Sequence, residues 1–178
     1  MDEHQQFLRY RLERAKESLL ASIEGVDERT VSQAMVFGEW TVKDVLGHII
    51  SWGDELRSEI SEILIDPTPR YSYMISSDRG YEEWNRSQAT QKKSSSLREI
   101  LAELERDHAE TVGLLERLAP DELGRRGVVP WRIEGLPPPE EVTPGTSMSV
   151  AALLETHIQH MKDHAEEIGR WRSEGGNA

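Results

Sequence analysis

The sequence predicts an all-α protein, an antiparallel four-helix bundle with long crossover connections. Three observations support this fold class. Four stretches of about 20 residues carry apolar side chains at three- and four-residue steps, the period of a helix with one buried face. The chain has no strand pattern of any strength, and no segment of it is repeated. Helices of comparable length without strands bury their apolar faces against one another as a bundle.

The first two helices are predicted over residues 3–24 and 42–65. Thr41 and Asp44 form a capping box before the second, and Pro67 prevents its continuation. The apolar stripes that define the two helices are Leu8, Leu12, Ala15, Leu19 and Ile23, and then Val42, Val45, Ile49, Trp52, Leu56, Ile60 and Ile63. Both stripes repeat with helical spacing, so each helix is expected to pack along its whole length.

The other two helices are predicted over residues 97–118 and 149–172. Ser96 and Glu99 supply a capping box for the third helix, and Pro120 follows its end. The polar segment 81–93 fits either a helical turn or a separate short helix, and the sequence leaves both alternatives open.

Residues 124–146 are predicted to form a long irregular connection. They contain five prolines and four glycines with little periodicity. Long connections of this kind are more often functional than shorter ones. The whole chain, residues 1–178, is expected to be a single domain, because 178 residues bury a sufficient core without splitting in two.

Composition excludes several classes of function. Thirty-three acidic and 21 basic side chains give a formal charge of −12. This charge repels phosphate backbones and anionic lipids, so neither nucleic acid nor a membrane is an expected partner. There is no secretory signal and no apolar run of about 18 residues, which leads us to expect a cytoplasmic protein. The chain has no cysteine, so any thiol chemistry requires an external thiol.

Three histidines lie within the eight residues HIQHMKDH of the fourth helix. At 100° per residue, His157, His160 and His164 project within an arc of about 60°. His157 and His164 are two turns apart, about 10 Å, which is too far to share an ion with nitrogen ligands at roughly 2.0–2.1 Å. At most two of the three therefore bind the same metal, either His160 with His164 or His157 with His160.

A third ligand must come from another helix, because two imidazoles alone bind a divalent ion poorly. The second helix offers His48, three residues after Val45 and four before Trp52. This position lies beside the apolar stripe, so the His48 side chain is predicted to point toward the bundle interior.

Two segments of the chain together resemble the DinB/YfiT-like superfamily of metalloenzymes. They are GEWTVKDVLGHIISW at residues 38–52 and HMKDHAEEI at residues 160–168. The resemblance implies a four-helix bundle in which His48, His160 and His164 bind a divalent metal ion, with Zn or Ni expected. The shorter EWN at residues 83–85 also resembles the ClbS/DfsB-like branch, which includes the colibactin-protecting cyclopropane hydrolase.

The resemblance also implies a range of functions. Three neutral imidazoles leave one to three coordination positions for water, thiolate or a substrate oxygen, as in catalytic metal sites. The expected function is a metal-dependent small-molecule transferase that uses a low-molecular-weight thiol, or a hydrolase. The alternatives are a non-catalytic metal- or ligand-binding module with an interaction or stress-related role, or a plain dimeric scaffold. The superfamily leads us to expect a homodimer.

Several further side chains are candidates for roles around the metal. Glu83, Glu155 and Asp163 are candidates for the general acid or base. His157 is expected to line or orient the site, and packing is favoured for His108 over a place beside the site. Trp84 and Trp131 lie in polar or irregular segments and are candidates for a pocket wall.

Overall fold

The computed structural model describes residues 1–66, 78–129 and 147–175 of the chain. Within these residues there are six α-helices, one short 3-10 helix at Pro120–Gly124, and two antiparallel pairs of very short β-strands. The helices are α1 (Glu3–Ile23), α2 (Glu28–Gln33), α3 (Val42–Ile65), α4 (Asp78–Gln91), α5 (Leu97–Arg117) and α6 (Val150–Ser173). The strands are β1 (Met35–Phe37), β2 (Trp40–Thr41), β3 (Arg126–Val128) and β4 (Ser147–Ser149).

The all-α prediction is confirmed. The four long helices α1, α3, α5 and α6 correspond to the four predicted ones, with ends that agree within one residue. Helix α1 packs against α5 and α6, and α3 packs against α5 and α6. The apolar stripes of these helices meet in one continuous core that is almost completely buried.

Capping side chains begin the helices where the sequence predicts. Thr41 Oγ1 accepts a hydrogen bond from the Asp44 amide at 3.2 Å, and Asp44 Oδ2 accepts one from the Thr41 amide at 3.0 Å. Ser96 and Glu99 make the same reciprocal pair at the start of α5. These bonds satisfy amides that the first helical turn leaves without partners, and so they fix the register of each helix.

Helices α3 and α6 run antiparallel. Near the start of α3, His48 meets His160 near the middle of α6. Near the end of α3, Ile63 packs against Gly127 of β3, and β3 pairs with β4 immediately before α6 begins. The side of α3 that faces α6 therefore runs from the middle of α6 toward its first turns.

Two elements differ from the sequence-based expectations. The segment 81–93 belongs largely to α4, a separate helix of 14 residues. The expectation that residues 124–146 are irregular is wrong at their start, because the strand Arg126–Val128 pairs antiparallel with the strand Ser147–Ser149. Strands of three residues are too short to show an alternating pattern in the sequence. Residues 130–146 lie outside the described part of the chain.

A buried ion pair joins α3 to α5. Arg57 Nη1 donates hydrogen bonds to Asp107 Oδ1 at 2.6 Å and to Thr111 Oγ1 at 2.8 Å. Burial raises the pKa of Asp107 to about 6, against the opposing effect of Arg57. The backbone of Gly53 passes so close that a Cβ there would lie 2.2 Å from Asp107 Oδ1. Glycine at this position therefore makes room for the ion pair.

Within the described residues, no helix is both long enough and apolar enough to span a membrane.

Candidate metal centre

Three imidazole rings, one from α3 and two from α6, lie close together where these helices pack against each other. His48 Nε2 and His160 Nε2 are 2.9 Å apart, and His164 Nε2 and His160 Nε2 are also 2.9 Å apart. One nitrogen of each ring lies within 4.8 Å of the nitrogens of the other two. In the described part of the chain, this is the one group of three or more potential metal ligands.

The local structure of each helix explains this convergence. His160 and His164 are one turn apart on α6, so their rings project side by side from the same face. His48 lies on the first turns of α3, which the Thr41 capping box holds in register. Since α3 and α6 pack directly against each other, the His48 ring faces the pair on α6.

Burial favours the neutral form of two of these imidazoles, His48 and His160, and a metal requires that form. Desolvation lowers the pKa of His48 from 6.5 to about 3, with a further lowering from His164 and an opposing effect of the Asn85 side chain. Desolvation, followed by the neighbouring His48 and His164, also holds the pKa of His160 well below 6.5. A neutral imidazole has a lone pair on one of its two ring nitrogens, and this lone pair can bind a metal ion.

Glu167 fixes the tautomer of one of these rings. Its Oε2 lies 2.7 Å from His164 Nδ1. The carboxylate accepts a hydrogen bond from Nδ1–H, and in the neutral ring this tautomer leaves the lone pair on Nε2, the nitrogen that faces the cluster. Carboxylate partners of this kind orient metal-binding histidines in many proteins.

The two contacts share one atom, which makes the cluster unfavourable without a cation. His160 Nε2 lies 2.9 Å from both His48 Nε2 and His164 Nε2. A ring nitrogen has either one hydrogen to donate or one lone pair to accept with, so His160 Nε2 cannot satisfy both neighbours. At most one of the two contacts is therefore a normal hydrogen bond, and a positive ion between the nitrogens would remove the conflict.

The spacing of the nitrogens also fits a divalent ion. Nitrogen ligands at about 2.1 Å from an ion lie about 2.9 Å apart at right angles and about 3.4 Å apart at tetrahedral angles. The two nitrogen separations of 2.9 Å are close to this range. Soft or borderline ions such as Zn or Ni suit imidazole ligands.

Aromatic rings surround the His48 side of the cluster. Trp40 meets the His48 ring edge to face with centroids 5.1 Å apart, and Trp52 does so at 6.3 Å. Trp84 of α4 packs against Trp52 at 4.6 Å, and Asn85 Oδ1 accepts a hydrogen bond from the Trp52 indole at 3.0 Å. Trp84 thus packs on Trp52, and its predicted place in a pocket wall stays a prediction.

His157 and His108 are also buried but lie outside the cluster. His157 is buried, and desolvation lowers its pKa to about 4, with further contributions from Arg57 and His108. His108 Nε2 lies 3.1 Å from Glu13 Oε2 of α1, although the two atoms do not have hydrogen-bond geometry. Neither ring belongs to the cluster of three. Their predicted supporting roles stay predictions.

The three carboxylates considered as acid or base make other contacts. Arg11 of α1 pairs with Glu155. Asp163 is exposed and accepts a hydrogen bond from Gln159 at 2.7 Å, and Glu83 lies on the exposed side of α4. The contacts of Glu155 and Asp163 do not involve the histidine cluster, and the catalytic roles of all three residues stay predictions. Trp131, the other candidate for a pocket wall, lies outside the described residues.

Sequence reasoning missed two residues that touch the histidines. Glu167 follows His164 by three residues, and this spacing alone places both on one helical face. Trp40 precedes α3 in β2 and reaches His48 because the β1–β2 hairpin folds back at Gly38, whose φ of 53° suits glycine. No periodic pattern in the sequence indicates that contact.

Comparison with known proteins gives a consistent result for the fold. The family model described as the DinB superfamily matches residues 11–168. None of the curated proteins matches the sequence. Several solved structures share the fold at low sequence identity.

Three of these structures illustrate the likeness. An uncharacterised protein from Clostridium difficile 630 is 13% identical, with a TM-score of 0.73 and coverage of 97% of this chain and 98% of that one. The colibactin self-resistance protein ClbS, solved in complex with dsDNA, is 12% identical, with a TM-score of 0.72 and 95% coverage of both chains. DfsB, described as a sibling lethal factor precursor, is 13% identical, with a TM-score of 0.72 and full coverage of both.

The ClbS complex bears on one sequence-based expectation. A protein of this fold was solved with dsDNA, which counts against the expectation that nucleic acid is not a partner. We therefore do not maintain that expectation. Identities of 12–13% show a shared fold alone, so the placement in the ClbS/DfsB-like branch stays a prediction. The match over residues 11–168, together with the bundle, shows that the chain belongs to the DinB superfamily.

Proposed function

We propose that this protein is a divalent-metal-dependent enzyme that acts on a small molecule, either as a transferase of a low-molecular-weight thiol or as a hydrolase. The observation that carries the proposal is the convergence of the Nε2 atoms of His48, His160 and His164, which cannot all satisfy one another by hydrogen bonding. Buried polar groups of this kind are usually satisfied by a partner, and here the partner is a metal ion.

The side chains of the site have distinct parts in this proposal. The three imidazoles bind the ion, and Glu167 orients His164 toward it. Trp40 and Trp52 exclude water from one side of His48. A divalent ion held by three imidazoles has open positions, at which it polarises a substrate oxygen or lowers the pKa of a coordinated water or thiol.

The nucleophile comes from outside the chain. The sequence has no cysteine, and Asp163 and Glu155 contact residues other than the histidines. An external thiol makes the protein a transferase, and water makes it a hydrolase. The two activities differ in their products, because only the first incorporates the thiol.

Elemental analysis of protein purified without a histidine tag tests whether the protein binds a metal ion. We expect about one Zn, Ni or similar ion per chain after reconstitution, as for a mononuclear site. His48→Ala and His164→Ala should each lose it, while the matched variant His4→Ala, at an exposed position on α1, should keep it. Metal content near zero in the reconstituted parent protein would exclude the proposal.

A substrate screen tests catalysis. Electrophilic substrates are incubated with glutathione, mycothiol or bacillithiol as the thiol nucleophile. Simple esters and amides are incubated without a thiol, so that water is the nucleophile. We expect turnover that requires the reconstituted metal and is lost in His160→Ala. A protein that binds metal but turns over nothing in a broad screen would favour the alternative, a non-catalytic metal- or ligand-binding module.

Two further properties belong to the proposal. The homodimer expected from the superfamily is tested by size-exclusion chromatography with light scattering. DNA binding is tested because a relative of the same fold was solved with dsDNA. Fluorescence anisotropy with labelled duplex at several salt concentrations measures it, since phosphate contacts weaken steeply with salt.

A further inference from the structure

One ring nitrogen of His48 has no partner among the described residues. Its Nε2 atom faces His160 Nε2 at 2.9 Å and so belongs to the histidine cluster. The other nitrogen, Nδ1, is buried and makes no hydrogen bond to the described part of the chain. Buried polar atoms in native proteins are usually satisfied, so the surroundings of Nδ1 call for a partner.

The side chain of Asn85, on α4, is held next to the His48 ring. It is buried, and its Oδ1 accepts a hydrogen bond from Trp52 Nε1 at 3.0 Å. Trp52 follows His48 by one helical turn, so the two rings project from the same face of α3, with centroids 6.3 Å apart. The bond to Trp52 therefore holds the Asn85 amide on the side of α3 from which His48 also projects.

The Asn85 side chain presents its oxygen to His48. Desolvation, followed by the neighbouring His164, lowers the pKa of His48 to about 3, and the Asn85 side chain opposes this lowering. A neighbour that raises the pKa of a histidine favours the ring that carries more hydrogens, as a hydrogen-bond acceptor does. The bond from Trp52 Nε1 independently requires the same end of the amide, since the indole only donates.

This oxygen has the capacity for a second bond. An amide oxygen has two lone pairs, and the Trp52 indole uses one of them. The second is available to a hydrogen on His48 Nδ1. The two groups do not have hydrogen-bond geometry in the structure, but the last torsion of an asparagine or histidine side chain is soft, so that a modest rotation aligns them.

Such a bond determines where the lone pair of His48 lies. A neutral imidazole with its hydrogen on Nδ1 has its lone pair on Nε2, and Nε2 is the nitrogen that faces the cluster. Glu167 has the same relation to His164, whose Nδ1 lies 2.7 Å from the carboxylate. Partners of this kind fix the tautomer and the orientation of metal-binding histidines.

We propose that Asn85 is a positioning residue of the metal centre: its Oδ1 accepts a hydrogen bond from His48 Nδ1–H and so directs the lone pair of Nε2 toward the ion. This inference rests on the proposed metal-dependent function and adds to it a residue outside α3 and α6. Two ligands are then oriented from opposite helices, His48 by an amide on α4 and His164 by a carboxylate on α6.

The affinity for Zn²⁺, measured by competition with a chromophoric chelator, tests the proposal. Asn85→Leu keeps the size of the side chain and removes the acceptor, so we expect affinity to fall by about 10- to 100-fold. Asn85→Asp restores an acceptor and should return the affinity to within about threefold of the parent. The matched variant Ser87→Ala, at an exposed position of α4, should leave it unchanged. Parent affinity in Asn85→Leu would overturn the proposal.

A second comparison separates His48 from Trp52 as the group on which Asn85 acts. Trp52→Phe removes the indole N–H, so in this background Asn85 has no bond to Trp52 left to lose. We expect Asn85→Leu still to weaken Zn²⁺ binding by about fivefold or more in the Trp52→Phe protein. No further loss in the double variant would show that Asn85 acts only by holding Trp52, and would overturn the proposal.

The tautomer of His48 provides a readout that needs no metal. Long-range ¹H–¹⁵N spectra of histidine-labelled protein in EDTA show which ring nitrogen carries the hydrogen, and His48→Ala assigns the signal. We expect Nδ1 in the parent and in Asn85→Asp, and a shift of the hydrogen toward Nε2 in Asn85→Leu. The same tautomer in all three proteins would exclude the contact. Circular dichroism verifies that each variant is folded.

These outcomes distinguish the inference from the function on which it rests. A parent protein that takes up Zn²⁺ equally with and without the Asn85 amide keeps the metal-dependent function and loses the role of Asn85. A parent protein that takes up no metal loses the function, while a tautomer that depends on Asn85 would still establish its bond to His48.

Discussion

His164 and Glu167 form a hydrogen-bonded pair on one face of α6, with Nδ1 and Oε2 2.7 Å apart. Because Glu167 accepts a hydrogen bond from His164 Nδ1, this nitrogen carries its hydrogen whether or not an ion is bound. The pair also converts a flexible histidine into a ligand that is already oriented toward His48 and His160. Metal affinity should therefore depend on a residue that does not itself contact the metal.

Glu167→Gln tests this dependence. The amide is neutral and accepts the Nδ1 proton less strongly, so we expect metal affinity to fall by about 10- to 100-fold, as for other outer partners of metal-binding histidines. Competition with a chromophoric chelator measures the dissociation constant. The exposed neighbour is the control: Glu166→Gln should leave the affinity unchanged. Equal affinities in the two variants would contradict the role of Glu167.

Metal binding should also stabilise the fold. An ion that binds only the native state adds about 2.7 kcal/mol to the free energy of unfolding when its concentration is 100 times the dissociation constant. We expect this increase in the parent protein and in His4→Ala, and none in His160→Ala. Urea titrations with and without the ion provide the measurement. An equal increase in His160→Ala would place the ion elsewhere.

Gly53→Ala should destabilise the protein. The added methyl group would lie 2.2 Å from Asp107 Oδ1, which Arg57 holds at 2.6 Å. Relief requires movement of the buried ion pair, so we expect a loss of at least about 1–3 kcal/mol.

The control for this substitution is Gly169→Ala on α6. A Cβ at Gly169 meets no atom within 4 Å. Because alanine is the better helix former, this variant should gain roughly 0.5–1 kcal/mol. Denaturant unfolding compares the two, and a Gly53→Ala protein as stable as Gly169→Ala would show that Asp107 can move freely.

Glu59 should make stability fall as the pH rises. Its pKa is raised from 4.5 to about 8 by burial and by the repulsion of Glu55 and Glu62. Between these pH values the unfolded chain has released the proton and the folded chain retains it. The free energy of unfolding contributed by this group therefore decreases, by at most about 1.4 kcal/mol per pH unit.

Comparison of the parent protein with Glu59→Gln isolates this effect from other titrating groups. Glutamine does not titrate, so the difference in unfolding free energy between the two proteins should change steadily in favour of the variant from pH 5 to pH 8. Urea unfolding at each pH measures it. A difference that stays constant over this range would show that Glu59 is ionised or solvated in the folded protein.

Long periodic segments made the bundle predictable from sequence. The apolar stripes of α1, α3, α5 and α6, together with the capping boxes at Thr41 and Ser96, place the helix ends within one residue. The short elements were not predictable in the same way. The β3–β4 pair consists of three-residue strands held by backbone pairing, and helix α4 has too few apolar positions to show a clear period.

The histidine cluster was predictable for a different reason. Spacing on one helix limits which of His157, His160 and His164 can share an ion, and the apolar stripe of α3 directs His48 inward. Contacts with residues of other helices or strands leave no such pattern in the sequence. The contact between Trp40 and His48 depends on how a hairpin folds back, and the lack of partners at Glu59 depends on packing that no local pattern encodes.

His48 and His160 are 112 residues apart in the chain. During synthesis, the first ligand therefore exists long before the other two, and a nascent chain that has not yet folded α6 against α3 offers an ion a single imidazole. Under the proposed metal-dependent function, loading with the ion would therefore follow the packing of α6 against α3. A cellular system that supplies the ion would then act on the finished protein and not on the growing one.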